Sequence, residues 1–170
     1  ESRLQSQVTH AAPDCVNACV FLNLILADLI HHDSSKPTNA ALRESIAGSL
    51  TKVSLGKEFE LSIELAPVRQ RVNLKNTGWV RHTLESAFWA ALTTTSFEEA
   101  LVNVVNLGQD ADTAGCVTGA LVGALYGFDT IPSRWKEAVH GEYPLRSGRL
   151  WFLQDFVNLA DELAKLSEKE

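Results

Sequence analysis

Four glycines recur at every fourth position of one segment, and this spacing restricts what the chain can fold into more than any other feature. They are Gly115, Gly119, Gly123 and Gly127. Residues four apart lie on the same face of an α-helix, so the pattern predicts a helix with a smooth face that a second helix approaches closely. Small residues at this spacing also occur in membrane helices, but Asp110, Asp112 and the short length of the segment argue against that interpretation.

Helical patterning extends along most of the chain. Helices are predicted from Pro13, from Thr38 or Asn39 to about Leu50, within 58–71, from about Val80 to Thr93-Thr94-Thr95, after Ser96, across the glycines, and over 151–170. A polar break separates the first two at 31–37. Ser96 and Glu99 form a capping box, and Gly108 is placed to end the helix that follows. No period-2 alternation is long enough for a sheet. We therefore expect a compact, multi-helix, all-α fold, with residues 1–170 in one domain.

Composition is that of a folded globular domain. A chain of 170 residues can bury a sizeable core, and 45% hydrophobic with 21% charged residues argues against disorder. The net charge of −6 argues against a nucleic-acid partner. The longest apolar stretch, 16–30, is interrupted by Asn17, Asn23 and Asp28, so we predict that it is too short and too polar to span a bilayer. We expect no membrane partner.

The three cysteines are Cys15, Cys19 and Cys116. Their odd number and spacing argue against a disulfide framework or a zinc site. Cys15 and Cys19 lie four apart on a predicted helix, and we expect both to be small buried residues. This cysteine usage favours a reducing compartment, and we expect the protein to be cytoplasmic.

Two carboxylates and a hydroxyl stand directly before the glycine-rich helix. Asp110, Asp112 and Thr113 are hard oxygen ligands of the kind that Mg²⁺ or Mn²⁺ prefers. The start of the helix also offers free N–H groups that favour a phosphate or another anion nearby. The alternative for Asp112 is an ordinary helix N-cap, a role in which Asp is common.

The surroundings of these aspartates resemble the ADP-ribosylglycohydrolase family, most closely its bacterial dinitrogenase-reductase-activating branch. The resemblance rests on Ser6-Gln7-Val8-Thr9-His10 with Pro13, on Gly78-Trp79-Val80-Arg81-His82-Thr83-Leu84-Glu85-Ser86-Ala87, and on 96–135 around Asn106-Leu107-Gly108-Gln109-Asp110-Ala111-Asp112-Thr113. Their order is similar to the C-terminal half of the family domain. One departure is local, because the family usually has Gly-Gly before the first Asp and here the second position is Gln109.

The resemblance implies a site for two divalent ions, Mg²⁺ or Mn²⁺, with Asp110, Asp112 and Thr113 as ligands. It implies that His10 bonds to phosphate or ribose oxygens and that Trp79 lines the ADP-ribose pocket; the alternatives are a packing histidine and a core tryptophan. The Gly-Asp and Thr-Asp-Asp motifs of the family's N-terminal half are not found in this sequence. Since Glu1 opens the chain without Met, we expect a piece of a longer or split protein. A missing segment or a second chain would then supply the acid–base carboxylate.

The resemblance therefore predicts a metal-dependent hydrolase that cleaves the N-glycosidic bond between ADP-ribose and a protein side chain, arginine before others. The expected partner is an ADP-ribosylated protein or ADP-ribose. The missing motifs motivate a different class, a catalytically silent subunit that binds ADP-ribose or has a structural role. A third interpretation is an unrelated Mg²⁺-dependent phosphohydrolase, which would release phosphate from ADP-ribose rather than cleave its glycosidic bond.

Overall fold

The computed structural model describes residues 1–32 and 38–167. The chain separates into two compact units, Glu1–Thr130 and Ile131–Glu170. Most of the polar break predicted at 31–37 lies outside the described residues. That residues 1–170 form a single domain stays a prediction.

The first unit is built of helices. Those that the structure describes in it are α1 (Ser2–Gln7), α2 (Pro13–Ile30), α3 (Thr38–Leu50), α4 (Lys57–Leu65), α5 (Val80–Thr93), α6 (Phe97–Val105) and α7 (Ala111–Tyr126). Short 3₁₀ turns at Ala66–Val68, Arg71–Asn73 and Phe128–Thr130 complete it. The all-α prediction is confirmed for this unit, although α1 was not predicted.

Local chemistry sets the helix ends that the sequence predicted. Pro13 occupies the first position of α2, where its missing N–H costs nothing. The hydroxyls of Thr93 and Thr94 donate hydrogen bonds to the carbonyls of Trp89 and Ala90, and α5 ends there.

The predicted capping box at the start of α6 is present in part. The Ser96 hydroxyl accepts a hydrogen bond from the Glu99 N–H at 3.2 Å and caps α6. The Glu99 carboxylate returns to the Thr95 N–H rather than to that of Ser96, so the capping box is displaced by one residue.

Helix α2 lies in the core of this unit. It contacts α1, α3, α5 and α7, and Phe21 and Ile25 are fully buried. The prediction that 16–30 is too short and too polar for a bilayer was wrong on those two criteria, because the 18-residue helix α2 is long and apolar enough to cross a membrane. The core helix of a globular unit and a signal sequence both meet the same criteria, and five of the eighteen residues of α2 are buried.

Helices α5 and α7 run side by side in the same direction. The start of α5 meets the start of α7, where a β-carbon added at Gly78 would lie 3.4 Å from Asp110 Oδ2. At the other end the Tyr126 hydroxyl donates to the Thr94 carbonyl at 3.4 Å. Ten of the fourteen residues of α5 are buried, so this helix forms much of the core of the first unit. Both helix N-termini therefore open at one end of the pair.

The glycine stripe (Gly115, Gly119 and Gly123) faces α6. β-Carbons added at these three positions would meet Val105 at 3.3 Å, Leu101 at 3.9 Å and Phe97 at 3.8 Å, respectively. The stripe thus allows the close helix approach that its spacing predicted. Gly127 does not extend it, because this residue has φ +83° and ends α7 instead.

The second unit contains helix α8 (Ser133–Ala138), strands β1 (His140–Glu142) and β2 (Leu150–Phe152), and helix α9 (Leu153–Ser167). The strands pair antiparallel with Gly141 opposite Trp151. The prediction that the chain has no sheet was wrong here, because three-residue strands are too short to show an alternating pattern. The tail is helical as predicted, but only from Leu153. Residues 168–170 lie outside the described part.

The cysteines are free, and the expectation of burial was wrong. Cys15 and Cys19 are only half-buried, and Cys116 is exposed. Val16 and Ala18 occupy the fully buried positions of that turn of α2, which leaves the two cysteines at the edge of the core.

Candidate metal and ADP-ribose site

Asp110 stands at the N-cap of α7, at the end of the loop 106–110 that joins α6 to α7. Two consecutive residues before it have left-handed backbone conformations, Gly108 with φ +73° and Gln109 with φ +56°. Glycine adopts this region freely, whereas glutamine is strained in it. The Gly-Gly pair that is usual in the family would therefore adopt this backbone without strain. In this chain the second residue of the pair is Gln109, so the backbone strain lies directly next to Asp110.

The carboxylate of Asp110 has two distinct neighbours. Its Oδ1 accepts a hydrogen bond from the Thr113 hydroxyl at 2.9 Å. Its Oδ2 lies against Gly78, at the start of α5. Asp110 is half-buried and Thr113 is exposed. The structure thus brings together the first and last residues of the predicted Asp-x-Asp-Thr ligand set.

Asp112 shares no side-chain hydrogen bond with this pair. It is the second residue of α7 and is exposed, and its carboxylate makes no hydrogen bond or ion pair with any residue that the structure describes. The alternative that Asp112 is the N-cap was wrong, because Asp110 holds that position. A carboxylate in the first turn of a helix still interacts favourably with the helix dipole. The joint metal role of the two aspartates stays a prediction.

The donor chemistry suits a hard divalent cation, but the donor set is incomplete. The Asp110 carboxylate and the Thr113 hydroxyl are adjacent oxygen ligands of the type that Mg²⁺ and Mn²⁺ prefer. Among the described residues, no group of three or more His, Cys, Asp or Glu side chains could hold a metal ion. These residues therefore fit one side of a metal centre and require further ligands.

Trp79 is the N-cap of α5 and directly follows Gly78 in the sequence. Its side chain is 45% exposed, so the alternative of a core tryptophan does not hold. The Arg81 guanidinium lies 5.2 Å from the ring centroid, and Arg81 also pairs with Glu58 at 3.1 Å. The exposed ring is therefore held by its neighbours while part of its surface faces solvent, as a stacking position needs.

His82 supports Trp79 from the next turn. The two rings meet edge to face with centroids 4.8 Å apart, and His82 Nδ1 lies 2.8 Å from the Thr77 hydroxyl. Partial burial lowers the pKa of His82 below its ordinary value of 6.5, and the positive charge of Lys75 lowers it further. The shift favours the neutral form of the ring.

His10 lies in the connection between α1 and α2 and is exposed. Its Nδ1 lies 3.1 Å from the neighbouring Thr9 hydroxyl. No hydrogen bond, ion pair or ring contact among the described residues joins it to Trp79 or Asp110. The structure therefore places Trp79, Asp110 and Thr113 at one end of the α5–α7 pair. The described residues do not link His10 to them by a hydrogen bond or a ring contact.

Asn76 is a residue of this region that the sequence did not single out. Its side chain is 1% exposed, and Nδ2 donates to the Gly108 carbonyl at 2.7 Å. The backbone carbonyl of Asn76 accepts a hydrogen bond from the Asp110 N–H at 2.9 Å. The sequence offered one signal, the turn-forming Asn-Thr-Gly run before Trp79, which identified a connection but not its partner.

Comparisons with known proteins place these features in a family. The ADP-ribosylglycohydrolase family model matches residues 1–170. The ADP-ribosylarginine hydrolase Tri1 of Serratia proteamaculans is 33% identical over 170 residues, which are all of this chain and 41% of that protein. The Tri1 protein of Pseudomonas putida is 32% identical over 82% of this chain and 35% of its own length.

A third relative is the ADP-ribosyl-[dinitrogen reductase] glycohydrolase of Rhodospirillum rubrum, which is 31% identical over 77% of this chain and 40% of its own length. The chain thus spans about two fifths of the length of these curated relatives. The match to the family model covers every residue, including the Asp110 loop and Trp79. The chain belongs to the ADP-ribosylglycohydrolase family.

Proposed function

We propose that the protein carrying this chain hydrolyses the N-glycosidic bond between ADP-ribose and an arginine side chain, and that the chain supplies part of the metal and ADP-ribose site. The observation that carries the proposal is that the start of α5, where Trp79 is the N-cap, meets the loop that carries Asp110. A β-carbon added at Gly78, which precedes Trp79, would lie 3.4 Å from Asp110 Oδ2. An aromatic ring and hard oxygen donors at one place are what a nucleotide–ribose substrate and a divalent cation require together.

The relatives support the chemical class. The two Tri1 proteins are named for hydrolysis of ADP-ribosylarginine, and the Rhodospirillum relative for removal of ADP-ribose from dinitrogen reductase. In the proposed reaction, water adds to the anomeric carbon of the ribose and the bond from that carbon to the guanidine nitrogen breaks. A proton derived from the water ends on the departing guanidine, so the products are ADP-ribose and unmodified arginine.

The residues of the chain have separate roles in this proposal. Asp110 and Thr113, with Asp112 as a further ligand, hold Mg²⁺ or Mn²⁺, which supplies Lewis-acid polarisation when bound. Trp79 stacks on the adenine. The free N–H groups at the starts of α5 and α7 favour the negatively charged pyrophosphate between them. His10 contacts phosphate or ribose oxygens. The acid–base carboxylate is assigned to residues outside this chain.

One observation favours the second candidate, a silent ADP-ribose-binding subunit. The described residues contain no group of three potential His, Cys, Asp or Glu ligands, and the Asp112 side chain is exposed. Such a subunit would bind ADP-ribose through Trp79 and the helix N-termini without needing an ion. The two candidates therefore differ in turnover and in metal dependence, not in ligand recognition.

The deciding experiment measures ADP-ribose release from ADP-ribosylarginine, with Mn²⁺ or Mg²⁺ and with EDTA. It is run with the 170-residue chain and with the full product of its gene. We expect metal-dependent release, and we expect Asp110→Asn to lower kcat/KM by at least about tenfold, the lower range for disturbed metal sites. The matched control is Asp129→Asn, the same chemical change at an exposed residue beyond the far end of α7.

Three results would overturn the proposal. Binding of ADP-ribose without release of arginine, by both forms of the protein, would establish the silent subunit instead. Release of inorganic phosphate from ADP-ribose would indicate a phosphohydrolase. Equal kinetics of Asp110→Asn and Asp129→Asn would remove Asp110 from the site. Turnover by the 170-residue chain alone would exclude the silent subunit and show that the chain contains its own acid–base group.

A further inference from the structure

The loop that carries Asp110 is tied to the segment before α5 by three hydrogen bonds. Asn76 Nδ2 donates to the Gly108 carbonyl at 2.7 Å, and the Asp110 N–H donates to the Asn76 carbonyl at 2.9 Å. We call these two bonds the Asn76 clasp. Arg71 Nη2 adds a third bond, to the Asn106 carbonyl at 2.6 Å. A residue from a distant part of the sequence thus holds the loop just before Asp110.

The clasp encloses the one strained residue of the loop. Its two bonds attach to Gly108 and Asp110, and Gln109 lies between them with φ +56°. A non-glycine residue persists in this conformation only when its surroundings hold it there. Asn76 is buried and anchors the loop from inside the protein, whereas Gln109 is exposed and has no such anchor of its own.

The same segment also limits where the Asp110 carboxylate can lie. Two residues after Asn76, a β-carbon added at Gly78 would lie 3.4 Å from Asp110 Oδ2, while Thr113 donates to Oδ1. Backbone and carboxylate of Asp110 are therefore both located by the segment 76–78. Displacement of Asn76 would move the Asp110 N–H, its helix cap and its carboxylate together.

We propose that Asn76 is a positioning residue, which acts through the clasp to hold Asp110 where it ligates a divalent cation. The proposal rests on the proposed function for the role of Asp110. Asn76 itself is 1% exposed, and in this proposal it acts through its bond to Gly108 rather than as a ligand. Residues that orient a ligand from behind typically change metal affinity by about 10- to 100-fold when they are replaced.

The test compares Asn76→Ala with a control that removes a buried hydrogen bond elsewhere. Thr94→Val is that control, because Thr94 is 2% exposed and donates to Ala90 at the opposite end of α5. Two quantities are measured in the chain: Mn²⁺ affinity by calorimetric titration, and amide hydrogen exchange over 106–113 in EDTA. Asn76→Ala removes the Nδ2 bond to Gly108 and leaves the backbone bond between Asp110 and residue 76 without that support. We expect the variant to bind Mn²⁺ at least about tenfold more weakly. We also expect its Asp110 amide to exchange faster than that of the parent. Thr94→Val should change neither quantity.

A second change separates positioning from general destabilisation. Glycine adopts the left-handed conformation without strain, so Gln109→Gly in the Asn76→Ala background should recover part of the Mn²⁺ affinity. A merely structural role for Asn76 would give no recovery, because the buried cavity remains. If Asn76→Ala does not fold, Asn76→Leu replaces it, since this uncharged side chain has nearly the same shape, leaves no cavity and lacks the Nδ2–H donor.

The outcomes separate this proposal from the proposed function. If the parent chain binds no Mn²⁺ but Asn76→Ala still speeds exchange at Asp110 alone, positioning by Asn76 holds and the metal role of Asp110 fails. If the parent binds Mn²⁺ and Asn76→Ala matches it in affinity and exchange, the positioning role is wrong while the proposed function stands. Equal effects of Asn76→Ala and Thr94→Val would also overturn the positioning role.

Discussion

Substitutions in the glycine stripe should raise or lower the free energy of unfolding according to the size of the side chain that is introduced. A β-carbon at Gly119 would lie 3.9 Å from Leu101 Cδ1, an ordinary contact distance. Gly119→Ala therefore fits, and replacing glycine in a helix interior should stabilise α7 by about 1 kcal/mol. Gly119→Leu adds three further carbons toward Leu101, and overpacking of this kind typically costs about 1–3 kcal/mol. The first change should raise the free energy of unfolding, and the second should lower it.

Substitutions at two other glycines serve as comparisons for Gly119→Ala and Gly119→Leu. Gly115 is tighter, because its added β-carbon would lie 3.3 Å from Val105 Cγ2. Valine is stiff about χ1 and yields little, so Gly115→Ala should stabilise less than Gly119→Ala or not at all. Gly48 in α3 has no atom within 4 Å of its added β-carbon. Gly48→Ala and Gly48→Leu are therefore matched controls that gain helix propensity without overpacking.

Thermal unfolding followed by circular dichroism measures the series. For a protein of this size, 1 kcal/mol shifts Tm by about 2–4 °C. Gly119→Ala should thus melt about 2–4 °C above the parent, and Gly119→Leu should melt below both Gly119→Ala and Gly48→Leu. If Gly119→Leu melted as high as Gly48→Leu, the stripe would not set the distance between α6 and α7, and the argument from close packing would fail.

Three further predictions concern the region around the site and the cap of α6. Asp112→Asn should abolish the weak binding of the single Mn²⁺ ion that we expect this chain to hold, seen by calorimetric titration, while Tm stays nearly unchanged; binding like that of the parent would remove Asp112 from the ligands. The pKa of His82 is lowered in the folded state, so the unfolded chain binds more protons just below pH 6.5. The free energy of unfolding should therefore fall as the pH drops from 6.5 through that lowered pKa, and denaturant titrations should show a weaker dependence in His82→Asn. Ser96→Ala removes the bond to the Glu99 N–H and should cost about 1 kcal/mol in chemical denaturation, whereas Ser147→Ala in the second unit should cost less.

The helices were predictable because their signals are local. Pro13, the capping pair Ser96 and Glu99, and the glycine stripe each act within one or two turns, and each predicted its element correctly. The short elements were not predictable on the same grounds. Helix α1 has six residues and β1 has three, too few for any periodicity to be read.

The candidate site was predictable only in part, for a related reason. Asp110 and Thr113 are three apart at a helix start, so their hydrogen bond follows from local geometry. The approach of Asn76 to Gly108 joins residues 32 apart in the chain, and only the parallel packing of α5 and α7 brings them together. No pattern within either segment indicates the other. The family resemblance predicted Asp110, Asp112 and Thr113 as ligands, whereas the contacts of Asn76 with the Asp110 loop required the fold.

The parallel arrangement of α5 and α7 has an electrostatic consequence for the proposed site. Two helix N-termini open at one place, and each carries a partial positive charge that favours an anion and opposes a cation. A divalent ion can remain there only if carboxylates outweigh this field, and two such ions bring four positive charges against the two negative charges of Asp110 and Asp112. The pyrophosphate of ADP-ribose would shift the same balance toward the ions. We therefore expect ADP-ribose and Mn²⁺ to bind cooperatively, each raising the affinity of the chain for the other by the same factor. Calorimetric titration of Mn²⁺ with and without saturating ADP-ribose measures that factor, and a factor of one would show that the helix N-termini and the carboxylates do not form a common site.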